Sequence, residues 1–337
     1  MKKLIRIGLL CRIVLALAAC SGGGNGDDES NTVVVYTPHP SETVNLLVEE
    51  FQTSTGINVE IVAAGTGELL NRIAAESENA QADVMWGGGA ESLASFNDYF
   101  QAYKPTGLDQ VSSQFYDANN LWTGESLLPM VIMYNKNLVA EEDVPKSWAD
   151  VLDPKFKGQI AMADPGSSGS AYTILVTMIT AHGGDTEEGW QFATDFYKNL
   201  DGKIQSSSGN VYVGVADGEY AIGLTLEKEA IRYVLADADV GIVYPEDGTS
   251  AVPDAVAIIK DAKNLTNAQK FVEFMTSKET QELMVAELGR RPVRNDVEID
   301  DSLPALEDIK LVDYDFDWAA NHKAEIVERW QKIVIEN

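Results

Sequence analysis

The chain has 337 residues, of which 45% are hydrophobic and 23% charged, enough for two lobes with separate cores. A formal net charge of −28 leaves no basic surface for a phosphate backbone and excludes nucleic acid as a partner. Two cysteines, Cys11 and Cys20, exclude both a disulfide framework and a thiolate metal site.

Lys2, Lys3 and Arg6 precede an apolar run ending at Ala19, interrupted by Arg12, which predicts a secretory signal peptide over 1–20. Leu17-Ala18-Ala19-Cys20 resembles a bacterial lipobox, so Cys20 is expected to carry a lipid and to become the mature N-terminus. Residues 21–31, rich in Gly, Ser, Asn and acid, predict a flexible tether. Beyond Cys20 no apolar run approaches the length of a membrane span. The expected location is therefore extracytoplasmic, with the lipid as the one membrane contact. The excess acid reads as solubility, since salt screens charges beyond about 8–10 Å.

Residues 32–36 are β-branched and apolar on both faces, as in a strand covered by helices. A turn at 37–41 leads into a helix with Val44, Leu47, Val48 and Phe51 at i, i+3, i+4, i+7, which Gly56 closes. Strand 57–64, helix from Gly65-Thr66-Gly67, strand 83–86 and helix 91–100 complete a βαβαβα order, hence a parallel sheet with helices on both faces. A loop over 103–120 follows, and the apolar run 127–135 is read as a strand crossing into a second lobe. That lobe holds a short helix at 148–152, strand 159–163, helix 171–181, helix 186–199, strand 203–205, a helix from 206–210 to Asp217, and strand 220–225. Strands 240–244 and 256–259 return the chain through a second crossover at 245–253. Helices 266–276, 278–288 and 318–335 close it. The expected division is 32–128 plus 250–337 for lobe 1 and 129–249 for lobe 2.

The central motif is Asp164-Pro165-Gly166-Ser167-Ser168-Gly169-Ser170, between strand 159–163 and helix 171–181. Glycines and serines beside the free N–H groups of a first helical turn make an electropositive socket for phosphate or carboxylate. Taken alone, the turn reads first as a Ser N-cap on an ordinary helix. Similar turns at 37–41, 65–68 and 87–92 fall at the carboxyl ends of strands, where open α/β sheets bind ligands. His39 sits in one such turn, where its imidazole is placed to donate to a phosphate. Glu227 follows the strand that ends at Thr225 and is read as an acceptor for ligand hydroxyls. Arg290-Arg291-Pro292-Val293-Arg294, the one basic cluster, reads as a set of structural ion pairs.

Other chemistry fits poorly. Gly65-Thr66-Gly67-Glu68-Leu69-Leu70 has Leu70 where a dinucleotide fingerprint needs glycine. A secreted serine phosphatase or esterase using Ser167 or Ser170 needs a converging base and acid, and His39, His182 and His322 are scattered. No cofactor and no metal site is expected.

These features together resemble the substrate-binding proteins of bacterial ABC importers, over essentially the whole mature chain. Tyr36-Thr37-Pro38-His39-Pro40, the 65–70 turn, Asp83-Val84-Met85-Trp86-Gly87-Gly88-Gly89 and Gly248-Thr249-Ser250-Ala251-Val252-Pro253-Asp254 are similar to the branch that binds ferric iron, hexose phosphates and related metabolites. The resemblance implies a two-lobed α/β periplasmic-binding-protein fold with a double crossover hinge (type II), no enzymatic activity, a monomer, and an ABC permease as partner. It implies an oxyanion-binding segment at Ser167, Ser168, Gly169 and Ser170, with Ser41, Thr66, Gly88 and Gly89 facing the cleft from lobe 1. Gly67 belongs to the same lobe 1 turn, Thr225 is expected to contact the ligand, and Asn210 and Glu227 are expected to meet its polar body. Ferric-binding members carry paired tyrosines after the strand that ends here at Thr225; this chain has Leu226-Glu227-Lys228-Glu229 there. The expected ligand is a small phosphorylated anionic solute, a sugar phosphate first. Ferric ion with a synergistic anion is the second expectation, then an aminophosphonate or a phosphorylated cofactor.

Overall fold

The computed structural model describes residues 31–299 and 303–337. The signal peptide, the lipidation site Cys20 and all of the tether except Asn31 lie outside those residues. Three parallel strands open the first lobe: β1 (Thr32–Thr37) lies between β2 (Asn58–Ala63) and β3 (Val84–Gly89). Helix α1 (Ser41–Thr55) buries Val44, Leu47 and Phe51, and α2 (Thr66–Ala75) buries Leu69, Leu70 and Ile73, the stripes that a 3.6-residue period groups together. Val33 and Val35 enter one core cluster with α1, whereas Tyr36 enters another with α2, so the sheet is covered on both faces. The helix expected over 91–100 is shorter. Helix α3 (Ala90–Ala94) gives way to a 3-10 turn, because Phe100 and Gln101 form β4 (Phe100–Gln101) against a returning strand.

Strand β5 (Thr123–Asn135) is what joins the lobes. Its first half pairs with β10 (Ala251–Ile259) in lobe 1. Its second half lies between β8 (Ile222–Leu226) and β9 (Val240–Val243) in lobe 2. The return runs from β9 into β10, giving two crossings. Strands β6 (Ile160–Ala163) and β7 (Ile204–Gln205) complete the order β2-β1-β3-β10-β5-β8-β6-β7. Around lobe 2 pack α4 (Gly169–Ala181), α5 (Glu187–Leu200), α6 (Ser208–Ala216) and α7 (Glu227–Leu235). Helices α8 (Leu265–Thr276) and α9 (Lys278–Leu288) return to the lobe 1 core through Phe271, Met275 and Met284. The fold is a two-lobed α/β structure with the type II double crossover.

The C-terminal segment departs from expectation in two ways. In place of one helix over 318–335 there are α10 (Phe316–Asn321) and α11 (Lys323–Glu336), broken where His322 takes φ −112, ψ 17. The segment was expected in lobe 1, yet Ala319, Ile326, Trp330 and Ile333 join the lobe 2 core. Two contacts hold it there: the Tyr172 hydroxyl donates to Ala319 O at 2.5 Å, and Trp330 meets the Tyr197 ring edge-on at 5.9 Å. Burying a tryptophan stripe against α5 decides the lobe, and amphipathicity alone did not reveal which side offered the partner face.

Candidate ligand cleft

Between the lobes lies a cleft of about 430 Å³. The strands that feed it end in Gly, Pro and Ser, and each chain turn there starts a helix. The residue preceding each of α1, α2, α4, α6 and α7, namely Pro40, Gly65, Ser168, Ser207 and Leu226, lines the cleft. Five helix N-termini thus aim partial positive charge and first-turn N–H groups at one space. Two of them are capped by serine: Ser168 Oγ accepts from Ala171 N at 3.3 Å and Ser207 Oγ from Asn210 N at 3.4 Å. No side chain caps α1, α2 or α7. Hydroxyls of Thr66, Ser167, Ser168, Ser170, Ser206, Ser207 and Ser208 stand among these turns.

The two walls touch backbone to backbone. Gly67 N of lobe 1 donates to Ser167 O of lobe 2 at 3.2 Å, and a Cβ on Gly65 would stand 2.6 Å from the same oxygen. The structure is therefore a closed form. Gly88 has φ +88, and a Cβ there would sit 2.6 Å from Thr66 Cγ2, so glycine allows both the turn and the approach of Thr66.

Lys228 is the one cationic side chain among the lining residues, and its Nζ donates to Asp254 Oδ2 at 2.8 Å. Glu229 lines the cleft next to it, with Oε2 3.5 Å from Arg232 Nη2. Arg232 also pairs with Glu42 of lobe 1 across the cleft mouth and lies 5.9 Å from the Tyr212 ring centre. Burial, then the Glu229 charge, pushes the Tyr212 phenol well above its ordinary pKa, so it stays protonated.

Behind the cleft runs a buried charge network. His39 Nε2 lies 3.1 Å from Glu125 Oε1, and Arg290 Nη2 lies 3.2 Å from His39 Nδ1. Because arginine only donates, Nδ1 must accept and Nε2 must carry the proton that it gives to Glu125. Burial first, then Arg290 and Lys228, lowers the His39 pKa and keeps the ring neutral. Burial also opposes ionisation of Glu125, but Arg290 at 2.9 Å and His39 outweigh it and hold the carboxyl well below its usual range. His39, Glu125 and Asp254 have donor atoms within 4.8 Å of one another. Arg290 and Lys228 already neutralise that trio, which fits no metal ion.

Seven of the residues anticipated from sequence line the cleft: His39, Thr66, Gly88, Ser167, Ser168, Gly169 and Ser170. His39 does so without the anticipated role, since both its ring nitrogens are bonded inside the network. Six do not line it. Ser41 is exposed on α1, and Gly67 spends its N–H on the lobe contact. Gly89 precedes α3 and, like the buried Thr225 on β8, stays outside the lining. The Asn210 side chain turns to Ser206 Oγ at 3.0 Å. Glu227 is a correction of substance, because Arg291 clamps it at 2.7 and 2.8 Å and Tyr244 donates to it at 2.6 Å. Lys228, Glu229, Tyr212, Asp254, Ser207 and Ser208 were missed. The arginine cluster is structural as expected, with Arg290 on Glu125, Arg291 on Glu227 and Arg294 on Asp296.

A hydrolytic site is not assembled. His182 bonds Met178 O and Asp247 and stacks on Phe192 at 3.6 Å, and His322 bonds Trp318 O. His39 and His182 have both ring nitrogens engaged, and neither His182 nor His322 lines the cleft to serve its serines as a base.

Two lobes meeting at a cleft of helix N-termini have the architecture of a solute-binding protein. The chain belongs to the bacterial extracellular solute-binding protein family, whose profile matches residues 83–318. A probable ABC transporter periplasmic-binding protein of Sinorhizobium fredii is 29% identical, over 91% of this chain and 87% of its own. A putative 2-aminoethylphosphonate-binding periplasmic protein of Salmonella typhimurium is 26% identical, over 85% and 86%. Among solved structures, the periplasmic binding protein AfuA of Actinobacillus pleuropneumoniae, with fructose 6-phosphate bound, superposes with a TM-score of 0.84 at 25% identity. That match covers 91% of this chain and 99% of AfuA. The chain falls in the branch of ferric-iron and hexose-phosphate binders and is an extracytoplasmic solute-binding protein of an ABC importer, not an enzyme. Its partners are a small solute and a permease. No helix among the described residues is long and apolar enough to cross a membrane.

Proposed function

We propose that the cleft captures a small phosphate ester, a sugar phosphate in the first place, and hands it to the permease from a lipid anchor at Cys20. The observation that carries this reading is the convergence of five helix N-termini with serine and threonine hydroxyls on one space. Such a cradle favours an anion with several acceptor oxygens. The hydroxyls of Thr66, Ser168 and Ser170 and the backbone amides of Thr66, Gly169 and Ser170 hold the phosphate. Ser207, Ser208, Glu229 and Asp254 meet the hydroxyls of the sugar. The fructose 6-phosphate held by AfuA supports the same ligand class.

An aminophosphonate, the ligand in the name of the Salmonella relative, fits less well. Its ammonium needs an uncompensated acid, and Asp254 and Glu229 already face Lys228 and Arg232. Ferric ion also fits less well, since paired phenolates hold it in the ferric-binding members and Tyr212 is the one tyrosine lining the cleft.

A thermal-shift panel of fructose 6-phosphate, glucose 6-phosphate, 2-aminoethylphosphonate and ferric citrate tests the reading. A sugar phosphate at 100 times its Kd should add about 2.7 kcal/mol of stability, with no free phosphate released. Stabilisation by ferric citrate alone, or release of phosphate, would contradict it.

A further inference from the structure

On the far side of the Gly88–Thr66 turn, α3 of lobe 1 meets α4 of lobe 2 around an acid that ligand binding leaves unused. Glu91 has no solvent exposure, and its Oε2 has no hydrogen-bond partner. Its Oε1 lies 2.5 Å from Thr173 Oγ1, and that same hydroxyl is 3.1 Å from Gly169 O. The groups facing it are Thr173 and Tyr172 of α4, Tyr314 before α10, Lys323 of α11 and Asp254 of β10. Lys323 is the cation at hand, but its Nζ donates to Ser92 Oγ at 2.8 Å and sits 3.6 Å from the Tyr172 ring centre.

An ionised Glu91 gives Thr173 two acceptors for one hydroxyl proton and buries a full charge that has only the Tyr314 phenol as a further donor facing it. A neutral Glu91 removes both faults: its O–H donates to Thr173, whose own O–H donates to the Gly169 carbonyl. Burial raises the Glu91 pKa, with Thr173 and Lys323 opposing it only in part. Gly169 opens α4, and its neighbours Ser168 and Ser170 line the cleft. The hydroxyl chain therefore ties a lobe 1 acid to the anion turn of lobe 2. Parting the lobes breaks that tie and lets water reach the carboxyl, whose ordinary pKa is about 4.3.

We infer that Glu91 is a positioning residue that packs on α4 as a neutral carboxylic acid, so that ligand capture takes up a proton from solvent and release returns it. The inference rests on the reading of the cleft as an anion trap. An acid held neutral in the closed form and ionised in the open form makes the closed form bind more protons. Affinity then rises as pH falls through the interval between the raised pKa and about 4.3, by at most about tenfold per pH unit.

Calorimetric titration with fructose 6-phosphate near pH 6, in two buffers of different ionisation heat, counts the protons taken up. The ester's own second ionisation near pH 6 contributes equally to every variant. The wild type should take up more protons than Glu91→Gln. That variant should keep most of the affinity, because its N–H can donate to Thr173, while losing the pH slope. Glu91→Ala should weaken binding at every pH. Equal uptake by wild type and Glu91→Gln would overturn the inference, as would be seen if Glu91 stayed ionised beside Lys323 in both forms. If no phosphate ester gives heat with the wild type, the anion reading fails separately. Ligand-free X-ray scattering at about pH 5 and about pH 8 then decides: the wild type should have the smaller radius of gyration at the lower pH and Glu91→Gln the same radius at both, and a wild-type radius that does not respond to pH would refute the inference.

Discussion

Arg290, Arg291 and Arg294 stand behind the cleft, each clamped to a carboxylate, whereas the cleft wall offers one lysine tied to Asp254 and the first turns of five helices. The two regions lie next to each other and are equipped for negative charge by different means. In the rear layer, full charges are fixed permanently, because a buried ion without its partner is costly. At the wall, N–H groups and hydroxyls carry only partial charge, which an anion can occupy and leave. A net charge of −28 is therefore no obstacle to the anion proposed for the cleft: local dipoles act at hydrogen-bond range, and the permanent cations are already spent on the frame.

Cutting the rear layer should cost the most. Arg290→Ala strands Glu125 and Arg291→Ala strands Glu227, each with an expected loss of about 3–5 kcal/mol in urea unfolding. A loss under about 1 kcal/mol would remove the contrast between frame and wall. Next comes Gly67→Ala, whose new Cβ would run into Gly166 O of the opposite lobe. It should hinder closure by about 1–3 kcal/mol, read as weaker fructose 6-phosphate binding and a larger radius of gyration in X-ray scattering with ligand. Unfolding of the lobes should barely change, since that clash exists only when they meet.

Smaller effects belong to the wall itself. Ser168→Ala and Thr66→Ala should each weaken binding by about 0.5–3 kcal/mol, and Ser168→Ala should also cost roughly 1 kcal/mol of stability as a lost N-cap. Unchanged affinity in both would show that the anion lies elsewhere. The smallest effect is at the mouth, where Arg232→Ala removes the pair with Glu42. Its half-exposed setting limits the loss to about 0.2–1 kcal/mol, seen as faster ligand release that disappears at high salt.

Much of this arrangement was legible in the sequence because it is local. A β-branched run, a Gly or Pro turn and an amphipathic stripe dictate β1, α1 and α2, and the repeated small-residue turns mark the strand ends that become the cleft. What was not legible depends on register and on distant partners. Glu227, Lys228 and Glu229 are consecutive on the first turn of α7, about 100° apart around the axis. Only the packing of α7 on β9 and β5 decides that Lys228 and Glu229 face the cleft while Glu227 meets Arg291, 64 residues further on. His39 fell in the right turn, but its ring function was set by Glu125 and Arg290, which no local pattern joins to it. The C-terminal helix showed its apolar stripe without showing which lobe would cover it.

The most direct measurement of the anion cradle is the amide spectrum of 15N-labelled protein titrated with fructose 6-phosphate and, separately, with fructose. The account predicts that the phosphate ester shifts the first-turn amides at Thr66, Gly169, Ser170 and Ser208 most strongly, and that fructose leaves them in place. Silence at those four amides, or equal shifts from the unphosphorylated sugar, would contradict it.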